Sequence, residues 1–189
     1  MDRHSAVTRS YEIPGQTWPS ELCWLYDNLA ASKNHAEIGI YCGRSLFSSC
    51  GGMQGATVYA VDLETIAYPC ELPPPSIEWF QAVRDVTLEA IRKLNQSVEV
   101  NFSQNGSLAT ARLLQSRGVV LDSVFIDGGH EYEYVLADIQ AWKPLVRQGG
   151  LIAGHDYWTV HVGVMRAVNE CFAGEFQIVP NTRIWYVRR

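Results

Sequence analysis

Lysine and arginine nowhere cluster in this 189-residue chain, and the formal net charge is −5. An acidic chain without a basic run argues against nucleic acid as a partner, because affinity for the phosphate backbone comes from clustered Lys and Arg. No apolar run approaches the ~20 residues a bilayer span needs, so no membrane partner is expected. The first residues, Met1-Asp-Arg-His-Ser5, lack the apolar core of a secretory signal. Cysteine is sparse: Cys23, Cys42, Cys50, Cys70 and Cys171 are odd in number, with no C-x-x-C pair. That usage fits free, mostly buried thiols in a reducing compartment, with the cytoplasm as the default location. Two nucleotide signatures are missing as well. Neither the dinucleotide fingerprint G-x-G-x-x-G nor a glycine-rich loop ending in Lys-Ser/Thr occurs.

What is present is a globular composition, 47% hydrophobic and 19% charged, of a length that suits one domain over 1–189. Trp18-Pro-Ser-Glu21 opens a helix with Leu22, Leu25 and Leu29 on one face. Residues 1–34 read as an N-terminal segment plus this helix, and 35–189 as the core. Within the core, apolar strands over 35–41, 57–61, 97–102, 121–126 and 151–153 alternate with helices over about 76–94, from 106–107 onward, over 131–146 and around 164–172. A stiff proline-rich loop occupies 68–76. Two strands, 176–179 and 183–187, close the chain as a hairpin. Alternation of this kind predicts an α/β fold of the Rossmann-like, doubly wound type. Its sheet is seven-stranded and mostly parallel, with an antiparallel C-terminal edge.

In such sheets ligands sit at the carboxyl ends of the strands. The first strand runs from Glu37 into a turn holding Gly39, Gly43 and Ser45, where glycine permits close backbone approach. The second strand ends at Asp62-Leu63, an acid placed to accept hydrogen bonds from ribose hydroxyls. Together these imply a nucleoside ligand without a phosphate chain. The fourth and fifth strands end in Asp127-Gly-Gly-His130 and in His155-Asp156. Four ionisable groups in one crevice are enough to hold a metal, remove a proton, or both. Trp79, Tyr132, Tyr157 and Trp158 flank the expected mouth, whereas His35 and His161 read as surface or structural residues.

The stretches 37–45, 58–63, 125–132, 138–144 and 149–157 resemble class I S-adenosylmethionine-dependent methyltransferases. They are most similar to the small O-methyltransferases related to macrocin O-methyltransferase and the cephalosporin-hydroxylase-like proteins. The resemblance implies S-adenosylmethionine as cofactor, with Glu37, Gly39, Gly43 and Ser45 around its methionine end. It puts Asp62 and Leu63 at the ribose, Gly106 and Ser107 near the adenine, and Asp127 and Gly128 beside them. Tyr41 stands where the commoner methyltransferase turn has its middle glycine. The resemblance further implies His130 as general base with Asp127 in the catalytic pair, and a divalent metal, Mg²⁺ or Mn²⁺, on Asp127, His155 and Asp156. His155 stands where metal-binding members often carry an acid, and an imidazole suits Mn²⁺, Fe²⁺ or Zn²⁺ at least as well as Mg²⁺. A metal-free site with His130 working alone is the other form.

The implied reaction is methyl transfer to a hydroxyl of a small molecule, with a sugar or natural product as candidate acceptor; a homodimer is a candidate assembly. Other readings remain at this level. Asp127 could cap the helix after it, and His155 could bond a backbone carbonyl. The whole chain could bind the cofactor without methyl transfer, or be an NAD-linked oxidoreductase, which the missing fingerprint disfavours.

Overall fold

The structure, a computed structural model, describes residues 1–63 and 74–189. Most of the expected proline-rich loop over 68–76, with Cys70, lies outside the described residues.

Seven strands form one sheet in the order β3-β2-β1-β4-β5-β7-β6. They are β1 (Asn34–Ile38), β2 (Ala56–Val61), β3 (Val98–Ser103), β4 (Leu121–Ile126), β5 (Val146–Gly154), β6 (Gln177–Ile178) and β7 (Trp185–Arg188). The first five run parallel, and β7 pairs antiparallel with both β5 and β6. This is the mixed, doubly wound sheet that the alternating pattern predicts. β1 and β4 lie at its centre and are buried on both faces, as strands covered by helices on both sides are, with His35 and Glu37 of β1 as buried polar residues among apolar ones.

Helices α1 (Arg3–Glu12), α2 (Pro19–Leu29), α3 (Arg44–Gly52) and α4 (Ile77–Leu94) cover one face. Helices α5 (Ser107–Ser116), α6 (Tyr132–Trp142) and α7 (Val162–Phe172) cover the other. On the first face Leu25, Leu29, Leu46, Leu88 and Ile91 pack on Val58 and Phe125. On the second, Leu114, Val135, Ile139, Trp142 and Val168 pack on Val124 and Ile152. Each such buried side chain contributes roughly 1.5–3 kcal/mol, so the two layers hold the strand ends rigidly in register.

Three local expectations are corrected. The N-terminal segment ahead of Trp18, for which no helix was expected, contains α1, whose N-cap Asp2 accepts the Ser5 amide at 3.0 Å. The helix expected over 131–146 stops at Trp142, a 3-10 turn covers Lys143–Leu145, and β5 begins at Val146 instead of Leu151. Gly149 at φ +74° lets that strand carry a pairing irregularity opposite β4 instead of ending. The closing hairpin is shorter, because Asn181 at φ +60° and its neighbours form a wider turn between β6 and β7.

Candidate active site

Four strands deliver their carboxyl ends to one place. Beyond β1, the Gly39 amide donates to Val61 O at 2.8 Å, and beyond β4 the Asp127 amide donates to Ile38 O at 2.8 Å. Beyond β5 the His155 amide donates to Ile126 O at 3.1 Å. The ladder thus continues past the strands and fixes the backbone of each candidate residue. Gly39 has φ +81°, and a Cβ there would collide with the Asp127 carbonyl, so the two loops touch only because this residue is glycine.

A cleft of about 510 Å³ opens over these ends, within the range of small-molecule sites. The end expected to take the cofactor is lined by Gly39, Tyr41, Ser45, Asp62, Leu63, Gly106 and Ser107. Asp62 accepts the Tyr41 amide at 2.6 Å and the Leu63 amide at 2.7 Å, one on each oxygen, leaving lone pairs for a ligand. Burial pushes its carboxyl up to about 6. Glu37 lies beneath the cleft, fully buried, and accepts Ser45 Oγ at 2.6 Å and Ser49 Oγ at 3.2 Å. It therefore orders the first turn of α3 from below. Gly43 caps α3 at φ +88° and faces Thr87 of α4, outside the cleft lining. Its contribution is to the turn.

The reacting end holds Asp127, Gly128, His130, His155 and Asp156. His130 Nε2 lies 3.0 Å from Asp156 Oδ2. His155 is buried, its Nδ1 3.2 Å from Asp156 Oδ1 and 3.6 Å from Asp127 Oδ1. Its Nε2 lies 3.1 Å from Glu21 Oε2, off the line of a straight hydrogen bond. His161 Nε2 is 3.7 Å from Asp156 Oδ1, and its ring centre 4.2 Å from that of His130. Arg183 Nη1 approaches Asp156 Oδ1 at 3.5 Å, with its guanidinium 4.8 Å from the Trp18 ring and 4.2 Å from the Trp158 ring.

The charges follow from this packing. The hydrogen bond that His130 donates to Asp156 raises its pKa against the opposing effect of burial. Burial opposes ionisation of Asp156, but His130 and His155 overcome it and hold that carboxyl well below the usual range. Burial pushes Asp127 up, with His155 acting in the opposite sense. Burial would lower His155, and the carboxylates around it raise it instead.

The structure brings Asp127, His130, His155 and Asp156 together as the sequence suggested. The helix-cap reading of Asp127 falls away, since Glu131 occupies the cap of α6. His155 faces carboxylates, not a backbone carbonyl. His35 is structural, with Nδ1 2.8 Å from Ser123 Oγ. His161, read as surface or structural, belongs to the cluster. Tyr132 binds Glu170 at 2.6 Å and Tyr157 packs on Phe176, both outside the cleft lining.

Several residues had no sequence signal. Glu21 sits on the core-facing side of α2, where an acid reads as a helix-start residue. Asp138 lines the cleft and accepts the Ser107 hydroxyl, and Ser107 Oγ accepts Trp142 Nε1 at 2.8 Å. Residues 14–17 form a wall of the cleft, held by Arg44, whose Nε donates to Ile13 O at 2.6 Å and Nη1 to Thr17 O at 3.1 Å.

The cleft fits an adenosyl ligand: the Gly39 turn admits close backbone approach, Asp62 keeps acceptor capacity, and Leu63 and Tyr134 stand 48% and 62% exposed along the wall. Such apolar side chains gain by being covered by a nucleoside. The reacting end fits a divalent cation, because the ligating atoms of Asp127, His155 and Asp156 lie within 4.8 Å of one another. Among the described residues, His130, Asp156 and His161 make a second such group.

Residues 36–157, well over half of the chain, match the family described as "Methyltransferase domain". A search of curated proteins finds no match. Solved structures share the fold. An O-methyltransferase from Bacillus cereus, in complex with SAH, is 17% identical with TM-score 0.69, covering 100% of this chain and 93% of its own. CalS11, a TDP-rhamnose 3'-O-methyltransferase of calicheamicin biosynthesis, is 16% identical with TM-score 0.61, covering 99% and 80%. The SAH-bound methyltransferase PaMTH1 from Podospora anserina is 13% identical with TM-score 0.63, covering 98% and 86%. With its strand-end glycine turn, its acid at β2 and its matching sequence block, the chain belongs to the methyltransferase domain family. Among the described residues no helix is long and apolar enough to cross a membrane.

Proposed function

We propose that the protein transfers the methyl group of S-adenosylmethionine to a hydroxyl oxygen of a small molecule. One observation carries this reading: a single cleft joins Gly39, Asp62 and Ser107 to the His130–Asp156 pair. Ser45, Leu63, Gly106, Asp127 and Gly128 complete the lining on the cofactor side, while Glu37 and Gly43 shape the turn beneath.

When bound, S-adenosylmethionine supplies the electrophilic methyl group. The chain's own residues prepare the acceptor. An alcohol is a poor nucleophile until it loses its proton, and a histidine can take that proton near neutral pH. Asp156 Oδ2 orients His130 through Nε2, which leaves Nδ1 for the acceptor hydroxyl. Holding the imidazole in one tautomer is the part an acid plays in other acid–histidine pairs. Asp156 Oδ1 faces His155 and Asp127, and these three residues would hold a divalent cation. Such an ion, when bound, lowers the pKa of a nearby hydroxyl and neutralises developing negative charge.

Half-exposed Trp18 and Trp158 stand beside this end, joined to Asp156 through Arg183. Aromatic faces of this kind favour ring-shaped acceptors, a sugar among them. The TDP-rhamnose specificity in the CalS11 description agrees with such an acceptor. Cys23, Cys42, Cys50 and Cys171 are free thiols, in keeping with a cytoplasmic site of action.

The test is calorimetric titration with S-adenosylhomocysteine, followed by a methyl-transfer screen over hydroxyl-bearing sugars and phenols. Binding with turnover on a hydroxyl supports the reading. Tight binding with no turnover on any hydroxyl or carboxyl acceptor makes the chain a cofactor-binding protein instead.

A further inference from the structure

Glu21 is a fully buried carboxylate in the first turn of α2, remote in sequence from every strand end. Burying an acid is costly unless its lone pairs are used. Glu21 Oε2 accepts the Trp18 amide at 2.7 Å, and Oε1 accepts the Arg183 amide at 2.8 Å. Two backbone donors from separate segments thus fix the carboxylate in space, with Oε2 3.1 Å from His155 Nε2. The other nitrogen of that ring, Nδ1, sits between Asp156 Oδ1 at 3.2 Å and Asp127 Oδ1 at 3.6 Å.

A neutral imidazole carries one N–H and one lone pair, and the group beside one nitrogen decides which is which. A carboxylate fixed 3.1 Å from Nε2, although off the line of a straight hydrogen bond, favours the hydrogen there by its charge and so the lone pair on Nδ1, toward the two aspartates. Three electron-pair donors then converge, an arrangement that repels itself unless positive charge sits among them, a proton on the imidazole or a metal cation in its place. One of the three is nitrogen. Mg²⁺ favours an all-oxygen shell, whereas imidazole suits Mn²⁺, Fe²⁺ or Zn²⁺.

We propose that Glu21 and His155 form one ligand unit, in which Glu21 holds the imidazole so that Nδ1 completes a site with Asp127 and Asp156, and that this unit makes the centre prefer a transition-metal dication over Mg²⁺. The inference rests on the metal reading of the preceding section and assigns Glu21 a positioning part in it. Carboxylates that hold a ligating histidine in this way are worth about 10–100-fold in metal affinity.

The experiment uses the full chain, stripped with chelator and saturated with S-adenosylhomocysteine, titrated calorimetrically with Mn²⁺, Zn²⁺ and Mg²⁺. Pulsed electron paramagnetic resonance of the Mn²⁺-loaded protein reads nitrogen coordination directly. The wild type binds Mn²⁺ and Zn²⁺ more tightly than Mg²⁺ and shows nitrogen coupling, which His155→Gln abolishes. Glu21→Gln weakens Mn²⁺ by about 10–100-fold with S-adenosylhomocysteine affinity unchanged. His155→Asp lowers the preference for Mn²⁺ over Mg²⁺ by about tenfold, as an all-oxygen site should.

Unchanged Mn²⁺ affinity in Glu21→Gln overturns the ligand unit and leaves the metal reading intact. Nitrogen coupling that persists in His155→Gln assigns the ion to His130 or His161 and overturns it equally. Absence of any dication binding beside intact S-adenosylhomocysteine binding removes the metal reading too, while methyl transfer by His130 stands. If Glu21→Gln fails to bind S-adenosylhomocysteine, the wild-type and His155→Gln spectra decide.

Discussion

Asp156 and His130 meet at 3.0 Å across the cleft, Oδ2 to Nε2, although they come from different strand ends. Asp156 reaches this position from a left-handed backbone, φ +59° in a residue with a Cβ. Such a conformation costs on the order of 1–3 kcal/mol and persists where the surroundings enforce it. If the pair acts as one unit, His130→Ala lowers kcat by about 10²–10⁴-fold, and Asp156→Asn falls in the same range. The double variant is then little worse than His130→Ala, because groups that work together are not additive. Steady-state kinetics with S-adenosylhomocysteine binding as a fold control checks this. Additive losses would separate the two residues.

Gly39→Ala places a methyl group against the Asp127 carbonyl, at a positive φ, between two strands that cannot part. Gly118→Ala also meets a positive φ but has nothing within 4 Å of the new Cβ. The expected cost at Gly118 is about 1–2 kcal/mol, the ordinary left-handed penalty. The cost at Gly39 exceeds it and is accompanied by loss of S-adenosylhomocysteine binding. Denaturant melts and calorimetry on both variants measure the contrast.

Arg44 holds the wall at residues 14–17 by two hydrogen bonds to carbonyls on either side of it. Charge-assisted bonds of this type contribute roughly 1.5–3 kcal/mol each. Arg44→Met should release the segment, raising amide exchange in residues 13–17 and weakening S-adenosylhomocysteine by about tenfold or more, with the core unchanged. Hydrogen-exchange mass spectrometry reads both regions in one experiment. Equal exchange in wild type and variant would show that the wall holds without Arg44.

Burial pushes the Asp138 carboxyl from the ordinary 3.8 up to about 6, with Ser107 acting in the opposite sense. The folded chain therefore holds this proton more tightly than the unfolded chain. Asp138 then lowers stability progressively as pH rises from about 4 to about 6, with no further change above that. Asp138→Asn keeps an acceptor for the Ser107 hydroxyl and removes the charge. Its melting temperature should match wild type near pH 4 and exceed it at pH 8 by several degrees, corresponding to about 2 kcal/mol. A lower melting temperature at pH 8 would mean that the charge itself is needed.

Much of the fold was legible because its signals are local. Apolar strands ending at Gly39, Asp62, Asp127 and His155, with helical stripes read after the last three, lead to a doubly wound sheet, although no stripe was read over the helix that follows Gly39. The four ionisable residues of the reacting end were legible for the same reason, since a strand end declares its own position. Glu21, Arg183 and Asp138 were not, because their roles come from contacts across the chain: Glu21 reaches Arg183 over 162 residues. His161 was misjudged because a helix-start histidine looks solvent-facing until the turn over 156–161 brings it beside His130. The start of β5 was misplaced because glycines at 149 and 150 read as a turn, where the structure uses them for an irregularity within a strand.

The central claim, methyl transfer to a hydroxyl oxygen prepared by His130, is tested most directly by following an isotope-labelled methyl group from S-adenosylmethionine into product by NMR. The account predicts label in an O-methyl group formed by the wild type, and formation slowed by about 10²–10⁴-fold in His130→Ala although that variant still binds S-adenosylhomocysteine. Label on nitrogen or carbon, or undiminished O-methyl formation in His130→Ala, would contradict it.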